Sequence, residues 1–580
     1  MTDITRPKRR RGLAAFGGVL AIMLLVTLVV ASTGTSSGGS LLARSKHATM
    51  PNGKALPHFS GGMEVVFDEE RQEAADAQSS GQADNPPDAA ASALGCANRG
   101  SATNVRVNQD CTLRRQAEEQ VAVNPIDPSN IIARQNDSRI GFNHCGFDYS
   151  LDSGAHWGDG IPPYYQHLNP GTQHTYDAAS DPNVTFTGTG RAWYACVVFD
   201  IATNASGLFA SPSTPLLKGS AYANIPAGAS NFVVAETNDG HTFYDKQFMA
   251  GDPRPGHDEA YITFTVFLAD QKCSNGNNPG AYCSSEIWYS KWDPAASDWT
   301  PIANVSGSSS SLCVLGDFFD KKADPNACNF NQGSMPVVLP NGDVYVVWNN
   351  GNTPLGAANQ TLGRLIHPNG TMGPVTRVGM DDWTHQAACD LGRGPEECVD
   401  SLGVRTNDYP AIAADPTNAN HLVAVWQDSR QSPNNDGDYG VAVAESTNGG
   451  SSWTETSYLK GAAGEAYFEP TVAITQTGKI GVSFYKANAY GNSDAMGTYG
   501  YYLRHHGSAS WPSILVSDSA TNPSPQANPT QAGFLGDYTS IAASTAAGSS
   551  IVYPIWSDTR NTSTSQGPDE DIFIRPVTLP

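Results

Sequence analysis

The chain has 580 residues, a formal net charge of −22, 16% charged residues, and abundant glycine (57) and proline (38). The charged fraction is well below the roughly 25% usual in soluble proteins. Such negative charge excludes a nucleic-acid partner, whose phosphates demand a basic surface. Many turn formers, with many Thr, Val, Tyr and Trp residues, point to an all-β chain.

In chain order, Arg6, Lys8, Arg9, Arg10 and Arg11 precede an uncharged apolar run from Leu13 to Ala31. A basic flank and an apolar core read as an export signal, with Val29-Val30-Ala31 as a cleavage site. The run is also near the ~20 residues that span a bilayer, so residues 1–31 are either a signal peptide or a retained membrane anchor. Either way the protein is expected to be secreted or anchored to the outer face of the cytoplasmic membrane, with no other membrane contact. Residues 32–95 are rich in Ala, Ser, Gly, Asp and Pro without a sustained apolar period, and are predicted to form a disordered stalk. Residues 96–580 hold the folded domain, expected to be a monomer.

The ten cysteines fall into neighbouring couples: Cys96 with Cys111, Cys145 with Cys196, Cys273 with Cys283, Cys313 with Cys328, and Cys389 with Cys398. An even count in an exported chain points to disulfides. No CxxC pair or Cys/His cluster has zinc spacing, so no metal site is assigned and no cofactor is required. The acidity leaves room for bound Ca²⁺.

A three-part unit recurs seven times between about residues 116 and 577, as arrays of equivalent small sheets do. Its openers are the runs at Ala117–Val123, Asp181–Phe186, His257–Ile262, Ser334–Val338, Asp408–Ile412, Phe468–Ala473 and Gly536–Ile541. Second strands such as Val344-Tyr345-Val346-Val347-Trp348 are almost continuously apolar, which fits burial on both faces. These features predict a β-propeller of seven blades, or six if one degenerate unit is an insertion. The last unit is one strand short, and the segment near Val105-Arg106-Val107 is expected to supply that strand and close the ring.

Several units end in a distinctive turn. Ser150–Trp157 and Ser446–Trp453 share the spacing Ser-x-Asp/Asn-x-Gly-x-x-Trp, and Glu236–Phe243 is a looser copy. Asp or Asn bonds nearby amides, Gly takes positive φ, and the aromatic ring packs between sheets. The motif resembles the Asp-box of the sialidase and BNR-repeat superfamily, over roughly residues 116–577. That resemblance implies that the turns are structural and lie opposite the active site. The chain lacks the Phe/Tyr-Arg-Ile/Leu-Pro motif of true sialidases.

Strand alternation places the acids before the first strands, and the residues after the second strands, around one mouth of the central channel. Asp137-Ser138-Arg139, Asp428-Ser429-Arg430 and Asp558-Thr559-Arg560 repeat one pattern in three units. Either Arg139, Arg430 and Arg560 converge on an anionic ligand through bidentate forks, or each pairs with its own Asp and locks the blades. The first alternative resembles the arginine triad with which sialidases hold a sugar carboxylate. Sialidases also replace the usual carboxylate nucleophile of glycoside hydrolysis with a Tyr activated by Glu. Carried over by position, Asp258 or Glu259 is the acid/base. Tyr467 with Glu469, Tyr409 with Asp408, or Tyr538 with Asp537 is the phenol pair, Asp537 and Tyr538 also counting as ligand-binding residues.

Two functions follow. One is an extracellular sialidase-like exo-glycosidase acting on an acidic terminal sugar. The other is a non-catalytic propeller that binds glycan, cell-surface polysaccharide or protein. The enzyme requires the three Arg residues to point inward around one cavity; the binding module allows ion pairs to consume them.

Overall fold

The computed structural model describes residues 50, 54, 58–61, 63, 64 and, with interruptions, 100–580. The signal or anchor run lies outside the described residues, as do Cys96 and Cys111.

Seven antiparallel sheets follow one another along the chain. Blade 1 is Gln116–Val123, Ile131–Asp137, His144–Ser150 and Gly158–Gly160; blade 2 is Ala178–Phe186, Ala192–Phe199, Ser206–Ser213 and Val233–Thr237. Blade 3 is Thr242–Gly251, Ala260–Leu268 and Ser284–Asp293, edged by Asp298–Trp299 and Ala303–Asn304. Blade 4 is Asn331–Val338, Val344–Asn350, Asn359–Ile366 and Met372–Asp381. Blade 5 is Ala411–Asp415, Asn418–Asp428, Gly440–Ser446 and Thr454–Leu459; blade 6 is Ala466–Ile474, Ile480–Ala487, Tyr499–His505 and Ser513–Leu515. Blade 7 is Ser540–Ala543, Ile551–Ser563 and Gly567–Ile574, and its fourth strand is Val105–Arg106, in register with Ile574 and Phe573. A further sheet, Ala387–Asp390, Pro395–Val399 and Val404–Arg405, is inserted between blades 4 and 5.

Each first strand touches the first strands of both neighbouring blades, and blade 7 touches blade 1, so the ring closes around a central axis. The cores lie between blades. In Val344–Asn350, Val344, Val346 and Trp348 pack with Ile287 and Tyr289 of blade 3. Tyr345 and Val347 pack the other way, against Leu422, Ala424 and Trp426 of blade 5. Alternate residues thus face opposite neighbours, and because both faces are covered the sequence reads as an unbroken apolar run. Each such large side chain contributes about 1.5–3 kcal/mol when fully buried.

Register orients the blades. Gln116 pairs with Asp137, whereas Val123 pairs with Ile131 and Ile131 with Ser150. The start of a first strand and the end of a second therefore share one rim, and the third-to-fourth turns occupy the other. Two of those turns are built alike. In each, the Ser hydroxyl (Ser150, Ser446) accepts from a Gly amide (Gly154, Gly450) at 2.9 Å. The Asp152 or Asn448 side chain then accepts from the amide of His156 or Ser452. The looser copy is not equivalent: Glu236–Phe243 joins the last strand of blade 2 to the first strand of blade 3.

One opener is corrected. The run at His257–Ile262 leads into the second strand of blade 3, whose first strand is Thr242–Gly251. That first strand carries Asp245-Lys246-Gln247 at its centre, so its apolar signal is weaker than that of Ala260–Leu268. Three expected disulfides are present, Cys145–Cys196, Cys273–Cys283 and Cys313–Cys328, as in proteins that fold outside reducing compartments. Cys398 is disulfide-bonded, while the side chain of Cys389 lies outside the described residues.

Candidate functional site at the channel mouth

Five first strands share one device. A register shift coincides with a left-handed residue: Glu118 (φ 58°), Asp181 (φ 55°), Lys246 (φ 52°), Gly333 (φ 63°) and Glu469 (φ 49°). A bulge bends the strand and re-aims a side chain, and non-glycine residues at positive φ are strained. Repeating the bulge around the ring gathers ionisable side chains at one mouth. Glu118, Glu119, Asp181, Asp245, Lys246, Glu469 and Asp537 are all buried there.

Their electrostatics divide. Lys246 Nζ contacts an Asp537 carboxylate oxygen and lies 3.7 Å from Asp181 Oδ1. Burial works against its charge, but Asp537, Asp181, Glu118 and Asp245 outweigh burial and keep the ammonium protonated. Arg405 donates to Asp537 through Nε at 2.8 Å and Nη2 at 3.2 Å. Burial pushes Asp537 up, yet Arg405 and Lys246 hold it well below the usual carboxylate range. Glu118 is the opposite case, since burial and then the Asp181 charge push it up to about 8. Burial likewise raises Glu119 to about 8 and Asp245 to about 6. Glu469 is raised well above its ordinary value by burial and then by Asp537, and neither of its carboxylate oxygens has a hydrogen-bond partner among the described residues. Two guanidinium groups approach the Phe534 ring, Arg115 at 4.7 Å and Arg405 at 5.8 Å from its centroid.

Residues 58–61, 63 and 64, described within the otherwise undescribed leading region, cover this cluster. Phe59, Ser60, Gly61, Met63 and Glu64 are buried. The Ser60 amide donates to Asp245 Oδ2 at 2.8 Å and the Gly61 amide to Asp537 Oδ2 at 2.5 Å. Arg405 Nη1 donates to Glu64 Oε2 at 2.5 Å and Nη2 to the Phe59 carbonyl at 3.1 Å. The Phe59 ring sits 4.6 Å from Phe267 and 5.5 Å from Phe243.

The sequence-derived candidates separate into three groups. Glu469, Asp537, Tyr538 and Tyr409 belong to the mouth: Lys246 Nζ lies 5.0 Å from the Tyr409 ring and 5.8 Å from the Tyr538 ring. Both phenols are pushed well above their ordinary value, first by burial and then by the charges of Asp537 on Tyr409 and Glu118 on Tyr538. Asp408 is buried against Asp381 on the blade 4 and 5 side, and burial together with Asp408 raises Asp381 well above the usual range.

Tyr467 packs away from Glu469. Its ring stacks on Phe484 at 4.4 Å and its hydroxyl accepts from Arg504 Nη2 at 2.8 Å. Residues two apart share a face in a regular strand, but the bulge between Phe468 and Thr471 contains Glu469 at φ 49° and re-aims its side chain, so Tyr467 and Glu469 are not paired.

Asp258 and Glu259 lie on the opposite rim, because they follow the end of a first strand. Asp258 bonds Thr187, Thr189 and Arg191 of blade 2, with Arg191 Nε at 2.9 Å. It staples neighbouring blades. Glu259 lies 3.2 Å from His257 Nδ1; with Asp252 they bring ligand-type atoms within 4.8 Å of one another. Arg254 already pairs with Asp252 there, at 2.5 Å.

The three Asp-x-Arg groups do not converge. Arg139 reaches Asp137 at 2.6 Å and Asp159 at 2.7 Å; Arg430 reaches Asp428 and Glu455, each at 2.6 Å. Arg560 reaches Asp558 at 2.5 Å and Asp518 at 2.6 Å. Asp159 and Glu455 stand on fourth strands, and Asp518 just follows one, so the guanidinium groups point outward along the blades. This is the second of the two expected arrangements, in which ion pairs engage the three guanidinium groups.

Sequence reasoning missed Lys246, Arg405 and Phe59–Glu64. Lys246 carried a signal, since Glu118, Asp181 and Lys246 are almost evenly spaced. Arg405 comes from the inserted sheet and Glu64 from the leading segment, so neither follows the repeat.

No protein-family model and no curated protein matches the chain. Similar solved structures include a Dyadobacter fermentans protein of unknown function, at 11% identity and a TM-score of 0.38, covering 82% of this chain and 98% of that one. A Hadza microbial sialidase is similar at 11% identity and a TM-score of 0.38, over 78% of this chain and 75% of that one. The endosialidase of phage phi92 is similar at 11% identity and a TM-score of 0.41, over 82% of this chain and 69% of that one.

Proposed function

We propose that the protein is an exported, glycan-active propeller that works at the channel mouth on a sugar carrying a carboxylate. The observation that supports this most is the opposite protonation of two acids in one buried cluster, Glu118 raised to about 8 and Asp537 held ionised. Environments that push two carboxyl groups apart in this way suit one as a proton donor and the other as an ionised partner. In this reading Glu118 protonates the leaving oxygen, Asp537 stays charged near it, and Arg405 holds the sugar carboxylate. The role first given to Arg139, Arg430 and Arg560 passes to this second set of cations. The two matching Ser-x-Asp/Asn-x-Gly-x-x-Trp turns support the resemblance to the Asp-box superfamily.

A second reading is a propeller that binds the same glycan without turning it over. It is favoured by the raised phenols of Tyr409 and Tyr538, which burial and carboxylates drive away from an activated state. Release of a fluorogenic aglycone across neutral and acidic sugars separates the two. The assay uses the wild type, a Gly61→Val protein whose mouth is uncovered, and Glu118→Gln in that background. Turnover of an acidic sugar that falls at least about 100-fold in Glu118→Gln supports the enzyme. Binding of the sugar by the uncovered protein without turnover leaves the binding module.

A further inference from the structure

The segment over the mouth makes contacts of the kind a glycan would make. Glu64 places a carboxylate on Arg405, and the Ser60 and Gly61 amides donate to Asp245 and Asp537 as sugar hydroxyls do. Phe59 fills an aromatic recess formed by Phe243, Phe267 and Tyr282. The fit at Gly61 is tight, because a Cβ there would stand 2.1 Å from Phe534 Cε2 and 3.1 Å from Asp537 Oδ2. The stretch also supports itself: the Glu64 amide donates to the Ser60 carbonyl at 3.0 Å and the Met63 amide to Ser60 Oγ at 3.3 Å. Upstream, Lys54 Nζ donates to Asn359 Oδ1 at 2.9 Å beside blade 4.

We propose that residues 58–61, 63 and 64 form an internal competitor, a strap that occupies the channel mouth and must leave before an acidic glycan binds. This rests on the mouth being the ligand site but not on any turnover there. Because the strap belongs to the same chain, its effective concentration is of millimolar order, so a strap whose own dissociation constant lies below that raises the apparent dissociation constant of a free ligand by their ratio. Departure of the strap releases Arg405 Nη1 from Glu64 while Nε and Nη2 stay on Asp537, and leaves Asp245 and Asp537 without the Ser60 and Gly61 amides. The freed mouth then presents a cation for a carboxylate and two acceptors for hydroxyls.

Hydrogen exchange on the full-length protein tests the strap directly. The Ser60 and Gly61 amides are expected to exchange at least about 100-fold more slowly than in a free peptide of the same sequence. In Gly61→Val they approach the free-peptide rate, while the first strand of blade 1 stays protected. A fluorescent peptide spanning residues 54–66 then binds Gly61→Val and not the wild type. The proposal is overturned by free-peptide exchange rates in the wild type, by unchanged protection in Gly61→Val, or by equal peptide binding to both proteins. If Gly61→Val does not fold, the wild-type exchange rates decide alone. Absence of sugar turnover counts against the enzyme reading and leaves these measurements as they are.

Discussion

Lys246 is a single buried ammonium among carboxylates, so its removal shows what the mouth depends on. Lys246→Met leaves Asp537 and Asp181 without that cation, in a site where burial already disfavours charge. Breaking a buried pair from one side typically costs about 3–5 kcal/mol. A thermal or denaturant melt is expected to show a loss of that size, and an unchanged midpoint would mean that water screens the cluster. The same residues set the pH dependence. Glu118 and Glu119 are raised from 4.5 to about 8, so their stabilising effect is complete below about 4.5 and lost as pH rises towards 8. Asp537 runs the other way: its contribution is present above 3.8 and disappears as pH falls through its lowered folded value. Stability should therefore be highest in mild acid and decline between pH 5 and 8. Each group contributes at most about 1.4 kcal/mol per pH unit. Denaturant midpoints across that range measure the decline, and Glu118→Gln should flatten it.

At the scale of elements, the repeated bulge is the device that turns a scaffold into a site. It takes one left-handed residue per first strand, and four of the five are charged residues rather than glycine. Left-handed backbone costs an ordinary residue about 1–2 kcal/mol, so the ring stores strain where its ions meet. Gly333 is the exception. A Cβ there would lie 2.5 Å from Tyr409 Cδ1, so the bulge in blade 4 leaves space for a ring from the blade 5 side. Gly333→Ala is expected to lower stability by about 1–3 kcal/mol through overpacking and to shift the Tyr409 environment, visible in near-ultraviolet circular dichroism. A neutral substitution would show that Tyr409 has room to move. The closing strand has a comparable anchor, since Arg106 Nη2 meets Asp571 Oδ1 at 2.7 Å with both side chains buried. Blade 7 is thereby completed from the opposite end of the domain.

For the molecule as a whole, the two rims do different work. The rim carrying the third-to-fourth turns also holds staples such as Asp258 with Arg191, while the other rim gathers the buried ions and receives the strap. The Asp-x-Arg groups belong to neither task; they clamp second strands to the outer edges of the blades. Arg430→Ala should therefore leave the affinity for an acidic glycan within about twofold, while lowering the melting temperature through the loss of two ion pairs. A large loss of affinity with unchanged stability would restore Arg430 to the binding site. Cys145–Cys196 ties blade 1 to blade 2 across a separation of 51 residues, adding a covalent link to the packing between blades.

The sequence by itself determined the all-β class, the number of repeating units, the closing strand at Val105–Arg106 and the couples of three disulfides. All of these are local or periodic: alternation, turn chemistry and spacing are written into neighbouring residues. Glu469, Asp537 and Tyr538, named from the repeat, lie at the mouth, because residues at or just before the starts of first strands recur on one rim. The assignment failed where composition and geometry parted. The apolar Ala260–Leu268 outshone the polar first strand Thr242–Gly251 and carried Asp258 and Glu259 to the wrong rim. Only the tertiary structure decided that Arg139, Arg430 and Arg560 are consumed, that Lys246 and Arg405 face Asp537, and that Phe59–Glu64 covers them. The contacts of Lys246 and Arg405 with Asp537, and of Glu64 with Arg405, join residues more than a hundred positions apart, and burial, which sets their charge states, exists only once the ring has closed.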